Sequence, residues 1–316
     1  MDIEHIHTPV MLERTLELLA PALQRPGAVA LDGTLGIGGH ALALLSRFPG
    51  LVLVGVDRDE QALALASQRL AQHAGRVRLV HTVYDDVEGA LAAARVEQFD
   101  AILLDLGVSS LQLDRPERGF SYARNAPLDM RMDAGSPLTA ESILADYTEG
   151  ELTRIFRDYG EEKLAARFAQ RIAERRRSEP LRTTAQLAEL IADATPRAVA
   201  RKGHPAKRVF QALRIEVNQE LATLERALPR LLDALAVGGR IVVLAYHSLE
   251  DRLVKRELAA RAASSAPHGL PVELPEHRPE LRLLTRGAEL AAPAERESNP
   301  RATPVRLRAA ERMRAA

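Results

Sequence analysis

The 316 residues include no cysteine. That excludes a disulfide scaffold and any thiolate zinc site, and it fits a reducing compartment. Tryptophan is also missing, and aromatic residues make up only 3% of the chain. No sign of charge is in excess, with 43 basic against 43 acidic residues. Net charge therefore does not announce a nucleic-acid binder, and the distribution of charge matters more than its sum. Met1-Asp2-Ile3-Glu4-His5 lacks the basic and apolar regions of a secretory signal, and no apolar run approaches the length of a membrane span. The expectation is a soluble, cytoplasmic, globular protein with no membrane partner. The abundant alanine, leucine and arginine favour helices, but they also reflect a compositional bias that weakens propensity arguments.

Against these absences stands one dense stretch, Asp32-Gly33-Thr34-Leu35-Gly36-Ile37-Gly38-Gly39-His40, directly behind the apolar run Ala28-Val29-Ala30-Leu31. An apolar run, an acid and then closely spaced glycines predict a strand turning tightly into a helix. Gly36, Gly38 and Gly39 let backbone N–H groups approach a ligand closely. A second apolar run, Leu51 to Val56, ends in Asp57. This is the spacing at which an acid at a strand tip meets ribose hydroxyls.

Further strands are predicted at 77–80, Ala101 to Leu104 and Arg240 to Tyr246. Helices are expected at His40 to Arg47 and Glu60 to Gln72. This alternation implies a doubly wound, Rossmann-like α/β sheet. The interval between the fourth and fifth strands is far longer than a crossover needs. It contains helical patterns at Ala140–Tyr147, Thr148–Tyr159, Glu161–Arg177 and Thr184–Ala194, the last with Thr183 or Thr184 as N-cap. Residues 113–209 are therefore assigned to a small, inserted all-helical domain between two parts of the α/β domain, 1–112 and 210–316. One long helix is expected from about Phe210 to Leu235, and another after His247 to about Ala263. Leu281–Thr285 and Thr303–Arg308 are expected to pair as an antiparallel hairpin at the sheet edge.

Gly36-Ile37-Gly38-Gly39-His40-Ala41 satisfies the dinucleotide fingerprint, but Asp32 beside it would repel a diphosphate. A zwitterionic amino-acid ligand tolerates that acid, which favours S-adenosylmethionine. Asp57 would hold its ribose and the glycine loop its methionine end. Asp105 closes the fourth strand, Phe99-Asp100-Ala101-Ile102-Leu103-Leu104-Asp105. Ligands of such sheets lie outside the carboxyl ends of the strands, so Asp105 is placed beside the reactive sulfonium; a plain turn acid is the alternative.

Further segments carry a resemblance. They are His7-Thr8-Pro9-Val10, Asp32 to His40, Val56-Asp57-Arg58-Asp59, Leu103 to Ser110, Arg118-Gly119-Phe120-Ser121 and Pro127 to Asp133. Tyr159-Gly160-Glu161-Glu162, His204-Pro205-Ala206, Phe210 to Ile215, His247 to Arg252 and Asn299-Pro300-Arg301 continue it. Across essentially the whole chain the sequence resembles the bacterial methyltransferases that modify N4 of a cytidine in 16S ribosomal RNA, the small subunit methyltransferase H family. The resemblance implies cofactor contacts at Gly38, Gly39, His40, Asp57, Tyr84, Asp105 and Gln112. It also implies that the helical insertion helps to recognise 16S rRNA within the small ribosomal subunit. Leu111 departs from a common proline, and Tyr84 and Tyr246 stand where phenylalanine is usual.

The missing cysteine has a chemical consequence here. Methylation at cytosine C5 normally needs an attacking thiolate, so an exocyclic amine is the compatible acceptor. Its lone pair is delocalised into the ring, and the enzyme has to orient N4 and accept its N–H bonds. Asp105, or backbone carbonyls of Leu106 to Ser109, are the candidate acceptors. Asp129, Arg131 and Asp133 form either an active-site loop or a salt-bridged domain junction. His247 either positions substrate or lies beside a helix capped by Ser248 with Asp251. A Ser–His–acid hydrolase is disfavoured because no nucleophile elbow is present.

Basic residues cluster at Arg171 to Arg177, at Arg197, Arg201, Lys202, Lys207 and Arg208, and in a tail of Arg301, Arg306, Arg308, Arg312 and Arg314. Such clusters suit phosphate contacts. No metal ligand set is assigned, and a homodimer is left open. The rivals are a DNA amino-methyltransferase, disfavoured by the missing Pro-Pro loop, and a non-catalytic RNA-binding assembly factor.

Overall fold

The computed structural model describes residues 9–196, 204–266 and 274–315. The chain divides into two compact units, Met1–Gly107 with Leu221–Ala316, and Val108–Glu220.

The first unit is built on a seven-stranded sheet. In chain order its elements are α1 (Leu12–Leu23), β1 (Val29–Asp32), α2 (Gly39–Arg47), β2 (Val52–Asp57), α3 (Glu60–Arg69), β3 (Val77–His81), α4 (Val87–Ala94) and β4 (Phe99–Asp105). After the second unit come α11 (Glu220–Asp233), β5 (Leu235–Ala245), α12 (Ser248–Arg261), β6 (Leu281–Leu283), α13 (Pro293–Ser298) and β7 (Arg306–Arg312). The strand order is β3-β2-β1-β4-β5-β7-β6. The first five strands run parallel, and β7 is antiparallel to both β5 and β6.

The central strands are apolar because both faces are covered. Ala30, Leu53, Leu103 and Val242 point to one side, where Leu16, Leu19 and Leu23 of α1 and Leu44 and Leu45 of α2 pack. Their neighbours Leu31, Val54, Ile102 and Ile241 point to the other, against Leu224, Leu228 and Leu231 of α11 and Val254 of α12. Successive residues of one strand thus feed two cores, as the pleat requires.

The second unit contains α5 (Ser110–Asp114), α6 (Ala140–Asp146), α7 (Glu149–Asp158), α8 (Ala165–Arg175), α9 (Thr184–Ala194) and α10 (Lys207–Asn218). Ile143, Leu152, Phe156, Phe168, Ile172, Leu187 and Leu213 form its core. Thr139, Thr148 and Thr183 close capping boxes at α6, α7 and α9, which selects Thr183 over Thr184 as the cap of the last.

Four expectations need correction. Helix α1 lies in a stretch for which no element is predicted. The long helix expected from Phe210 to Leu235 is two helices. Gln219 adopts a left-handed conformation (φ 51°), Asn218 turns its amide onto the backbone of Met130 and Met132, and Arg214 grips Glu220 across the break with two hydrogen bonds. The inserted unit therefore runs from Val108 to Glu220, not 113–209, because Val209, Phe210, Leu213 and Val217 of α10 belong to its core. Finally, β5 begins at Leu235 rather than Arg240. Gly238-Gly239 sit inside it at a register shift, where a Cβ on Gly239 would lie 2.7 Å from the Ala236 carbonyl oxygen.

Candidate active site

The loop after β1 is stitched to both neighbouring strands. Gly33 N–H donates to the Leu103 carbonyl and Leu35 N–H to that of Val56, each at 3.0 Å. Gly36 N–H donates to Asp57 Oδ2 at 2.7 Å, and Asp105 N–H to Thr34 Oγ1 at 2.6 Å. Gly36 (φ 53°) and Gly38 (φ 79°) are left-handed, and Gly38 is the N-cap that turns the chain into α2. At Gly39 the need is space, since a Cβ there would lie 2.7 Å from Pro9 Cγ.

Asp32, Asp57 and Asp105 end three adjacent parallel strands. Asp32 is buried and, among the described residues, accepts one hydrogen bond, from the Thr34 N–H at 3.2 Å. Burial, reinforced by Asp105 and Asp57, pushes its carboxyl up to about 7. Burial also raises Asp57, against the opposing N–H groups of Asp59 and Gly36. Asp105 is raised by burial, with Glu250 adding to the effect and His40 and Tyr246 opposing it. Among the described residues no arginine or lysine forms a salt bridge with any of the three.

Such a cluster suits a cationic ligand and repels a diphosphate. S-adenosylmethionine, with its sulfonium and ammonium, fits that donor set. Each Asp57 oxygen already accepts one N–H, from Gly36 or Asp59, and keeps lone pairs for ribose hydroxyls. Tyr84 lies in the turn after β3 on the same rim; its Cβ is 3.1 Å from where a Cβ of Gly33 would be.

His40 and Asp105 come together. His40 Nε2 pairs with the Val10 carbonyl at 3.1 Å, and Nδ1 stands 3.6 Å from Asp105 Oδ2. Tyr246, which no sequence argument assigns to the site, donates its hydroxyl to Asp105 Oδ1 at 2.6 Å. The signal for it in the sequence was an aromatic residue at the end of the predicted fifth strand.

His247 is the N-cap of α12, replacing the expected Ser248. Its Nδ1 accepts the Glu250 N–H, and Glu250 Oε2 accepts the N–H groups of Tyr246 and His247. Nε2 lies 3.2 Å from Glu250 Oε1, with both side chains buried. An imidazole nitrogen thus takes the place of the usual N-cap hydroxyl, with Glu250 as the usual acid three residues on.

In the helical unit, Gln112 is buried and closes a capping box with Ser109. Asp129 and Arg131 form a two-pronged pair at 3.0 and 2.7 Å, and Arg131 Nη1 also donates to the carbonyls of Ala134 and Ser136. Asp133 accepts the Gly135 N–H. The guanidinium of Arg131 is thus committed to shaping its own loop. Lys207 begins α10 and is exposed, while Arg208 donates to the Glu161 carbonyl.

The basic tail is not a free patch. Arg306 and Arg308 both pair with Asp251. Arg312 is buried and caps the carbonyls of Leu232, Asp233 and Leu235 at the end of α11, and Arg314 donates to those of Glu276 and Arg278. Arg171 pairs with Glu174 on its own helix, Arg175 with Glu179 just beyond it, and Arg176 donates to the carbonyls of Leu144 and Tyr147. His7, Thr8, Arg197, Arg201 and Lys202 lie outside the described residues. Among the described residues no helix is long and apolar enough to cross a membrane.

The description "MraW methylase family" belongs to a family model that matches residues 4–313. A ribosomal RNA small subunit methyltransferase H from Leifsonia xyli subsp. xyli is 67% identical over 310 residues, covering 98% of this chain and 95% of that protein. Its namesake from Clavibacter michiganensis subsp. michiganensis is 64% identical over 314 residues, 99% of each chain. The one from Thermobifida fusca is 62% identical over 309 residues, 98% of this chain and 94% of its own.

Proposed function

The chain belongs to the MraW methylase family, and from that premise we propose that it transfers a methyl group from S-adenosylmethionine to small-subunit ribosomal RNA in the cytoplasm, the acceptor being the N4 amine of a cytidine. The observation that carries the reading is the Asp105 carboxylate, fixed at the mouth of the strand crevice beside the glycine loop.

When bound, the cofactor supplies an electrophilic methyl group on a sulfonium. Gly36, Gly38, Gly39 and His40 would cradle its methionine end, Asp57 would take the ribose hydroxyls and Tyr84 would pack on adenine; Gln112 is a further proposed cofactor contact. Asp105 accepts an N4–H of the cytidine, which turns the amine lone pair out of conjugation and toward the methyl group. After transfer the methylated amine is strongly acidic, and the burial-raised Asp105 carboxylate is suited to hold its proton. No step requires a cysteine, and the chain has none. The helical unit recognises the RNA, with Lys207 and Arg208 at the start of α10 as phosphate contacts, and the target base is unstacked for reaction. His247 holds the start of α12 in place behind Tyr246.

The test is to incubate small subunits, naked 16S RNA and DNA with methyl-labelled cofactor and to analyse the nucleosides. Label in N4-methylcytidine from RNA is expected, and Asp105→Ala should lower the single-turnover rate by about 100-fold or more. Label in DNA alone, or full methylation by the alanine variant, contradicts the proposal.

A further inference from the structure

Tyr246 directly follows β5, whose Leu244 is in register with Asp105 on the neighbouring β4. The ring packs against the first core, and Gly107 (φ 96°) passes beside it, so that a Cβ there would lie 3.5 Å from Tyr246 Cδ2. The backbone N–H of Tyr246 is tied to Glu250 at 2.8 Å. A ring held at one edge, along its side and at its backbone has little freedom, and its hydroxyl meets Asp105 Oδ1 at 2.6 Å.

The surroundings of Asp105 give that hydroxyl its weight. Asp32 at the end of β1 and Glu250 on α12 bring negative charge toward Asp105. His40 on α2 faces Oδ2, but the Val10 carbonyl requires the proton on His40 Nε2. A neutral His40 therefore presents a lone pair to the carboxylate and helps only when doubly protonated. Tyr246 is a donor at every working pH, because burial and Asp105 hold its phenol well above the ordinary range. Among the described residues, it is the one hydrogen bond that the carboxylate of Asp105 accepts.

We propose that Tyr246 is a positioning residue for methyl transfer, its hydroxyl fixing Asp105 as an ionised acceptor aimed at the substrate amine. The inference rests on the reading of Asp105 given above. One Asp105 oxygen is committed to the phenol, which leaves the other, on the His40 side, for the amine N–H. The carboxylate cannot rotate to offer both without breaking the 2.6 Å bond.

Tyr246→Phe keeps the ring and deletes the bond. Methylation of small subunits is measured with the full-length protein between about pH 5 and 9. The acid limb of kcat should move up by about one unit, a roughly tenfold loss on the limb with the rate restored at high pH. The KM for cofactor should stay within about twofold, since the variant acts on the acceptor and not on binding. An unmoved acid limb, or a loss of equal size at every pH, overturns the inference; the latter is what a merely structural ring would give. Should the Phe variant fail to fold, 3-fluorotyrosine at position 246 reads the same bond. Its more acidic phenol is the stronger donor, and the limb should move down; an unmoved limb counts equally against the inference. Asp105→Asn separates the two failures. If it retains the wild-type rate, the reading of Asp105 falls; if it is inactive while Tyr246→Phe leaves the limb in place, the inference alone falls.

Discussion

Asp251 and Asp129 are paired with guanidinium groups, whereas among the described residues Asp32, Asp57 and Asp105 at the strand tips form no salt bridge with one. Arg306 and Arg308 hold the Asp251 carboxyl below the usual range against its burial, and Arg131 does the same for Asp129. At the sheet edge the shifts run upward. The chain has arginines in plenty, so the strand-tip acids are not unpaired for want of partners. Acids tied to arginine hold structure together. Acids buried without one carry an energetic cost that a cationic ligand relieves, which is the pattern of sites where function and stability oppose each other.

Three substitutions probe that contrast. The largest effect is expected at Asp251→Ala, which strands Arg306 and Arg308 and should lower stability by about 3 kcal/mol. Thermal melting reads it, and titration calorimetry should show cofactor affinity unchanged. Because this carboxyl is depressed in the folded state, its contribution is present above the unfolded value and fades as pH falls through the folded one. A normal melting temperature for the variant would erase the distinction between the two sets.

Next comes Asp57→Ala. It removes the acceptor of the Gly36 N–H and the proposed ribose partner, and cofactor affinity should drop by roughly tenfold to a hundredfold. The smallest effect has the opposite sign. Asp32→Asn keeps an acceptor for Thr34 and removes a charge that burial disfavours. Its folded value, about 7, lies above the ordinary 3.8 of an aspartate carboxyl. The wild type therefore loses stability as pH rises between those values, and the gain of the variant should open above about pH 4 and level off above about pH 7. A rise of a few degrees in melting temperature near pH 8, with weaker cofactor binding, is the expected pair of results. A gain that does not depend on pH would show that charge is not the reason.

Much of the α/β unit was legible because its strands are apolar runs bounded by acids and glycines; β1 to β4 lie where the pattern puts them. Asp57 and Asp105 were visible as acids at the ends of such runs, and the loop as three glycines. What escaped depends on partners distant in sequence. Gln219 breaks a helix with no glycine or proline to announce it, because Asn218 and Arg214 find partners on either side. The arginines of the tail read as a phosphate patch until Asp251 and the end of α11 are seen to absorb them. Tyr246 was legible only as an aromatic residue; its hydroxyl gains meaning from a carboxylate on the adjacent strand.

Strand β7 lies between β5 and β6, although it comes last in the chain. On a translating ribosome, β5 therefore emerges with one bare edge, and that edge stays bare until the segment beginning at Arg306 has been made. An unpaired apolar edge is a template for wrong partners. The nascent sheet is thus most exposed to misassembly late in its synthesis, and closure by β7 also delivers Arg308 to Asp251 and Arg312 to the end of α11. Nascent chains stalled before residue 306 should be open to protease and chaperone in a way that released chains are not.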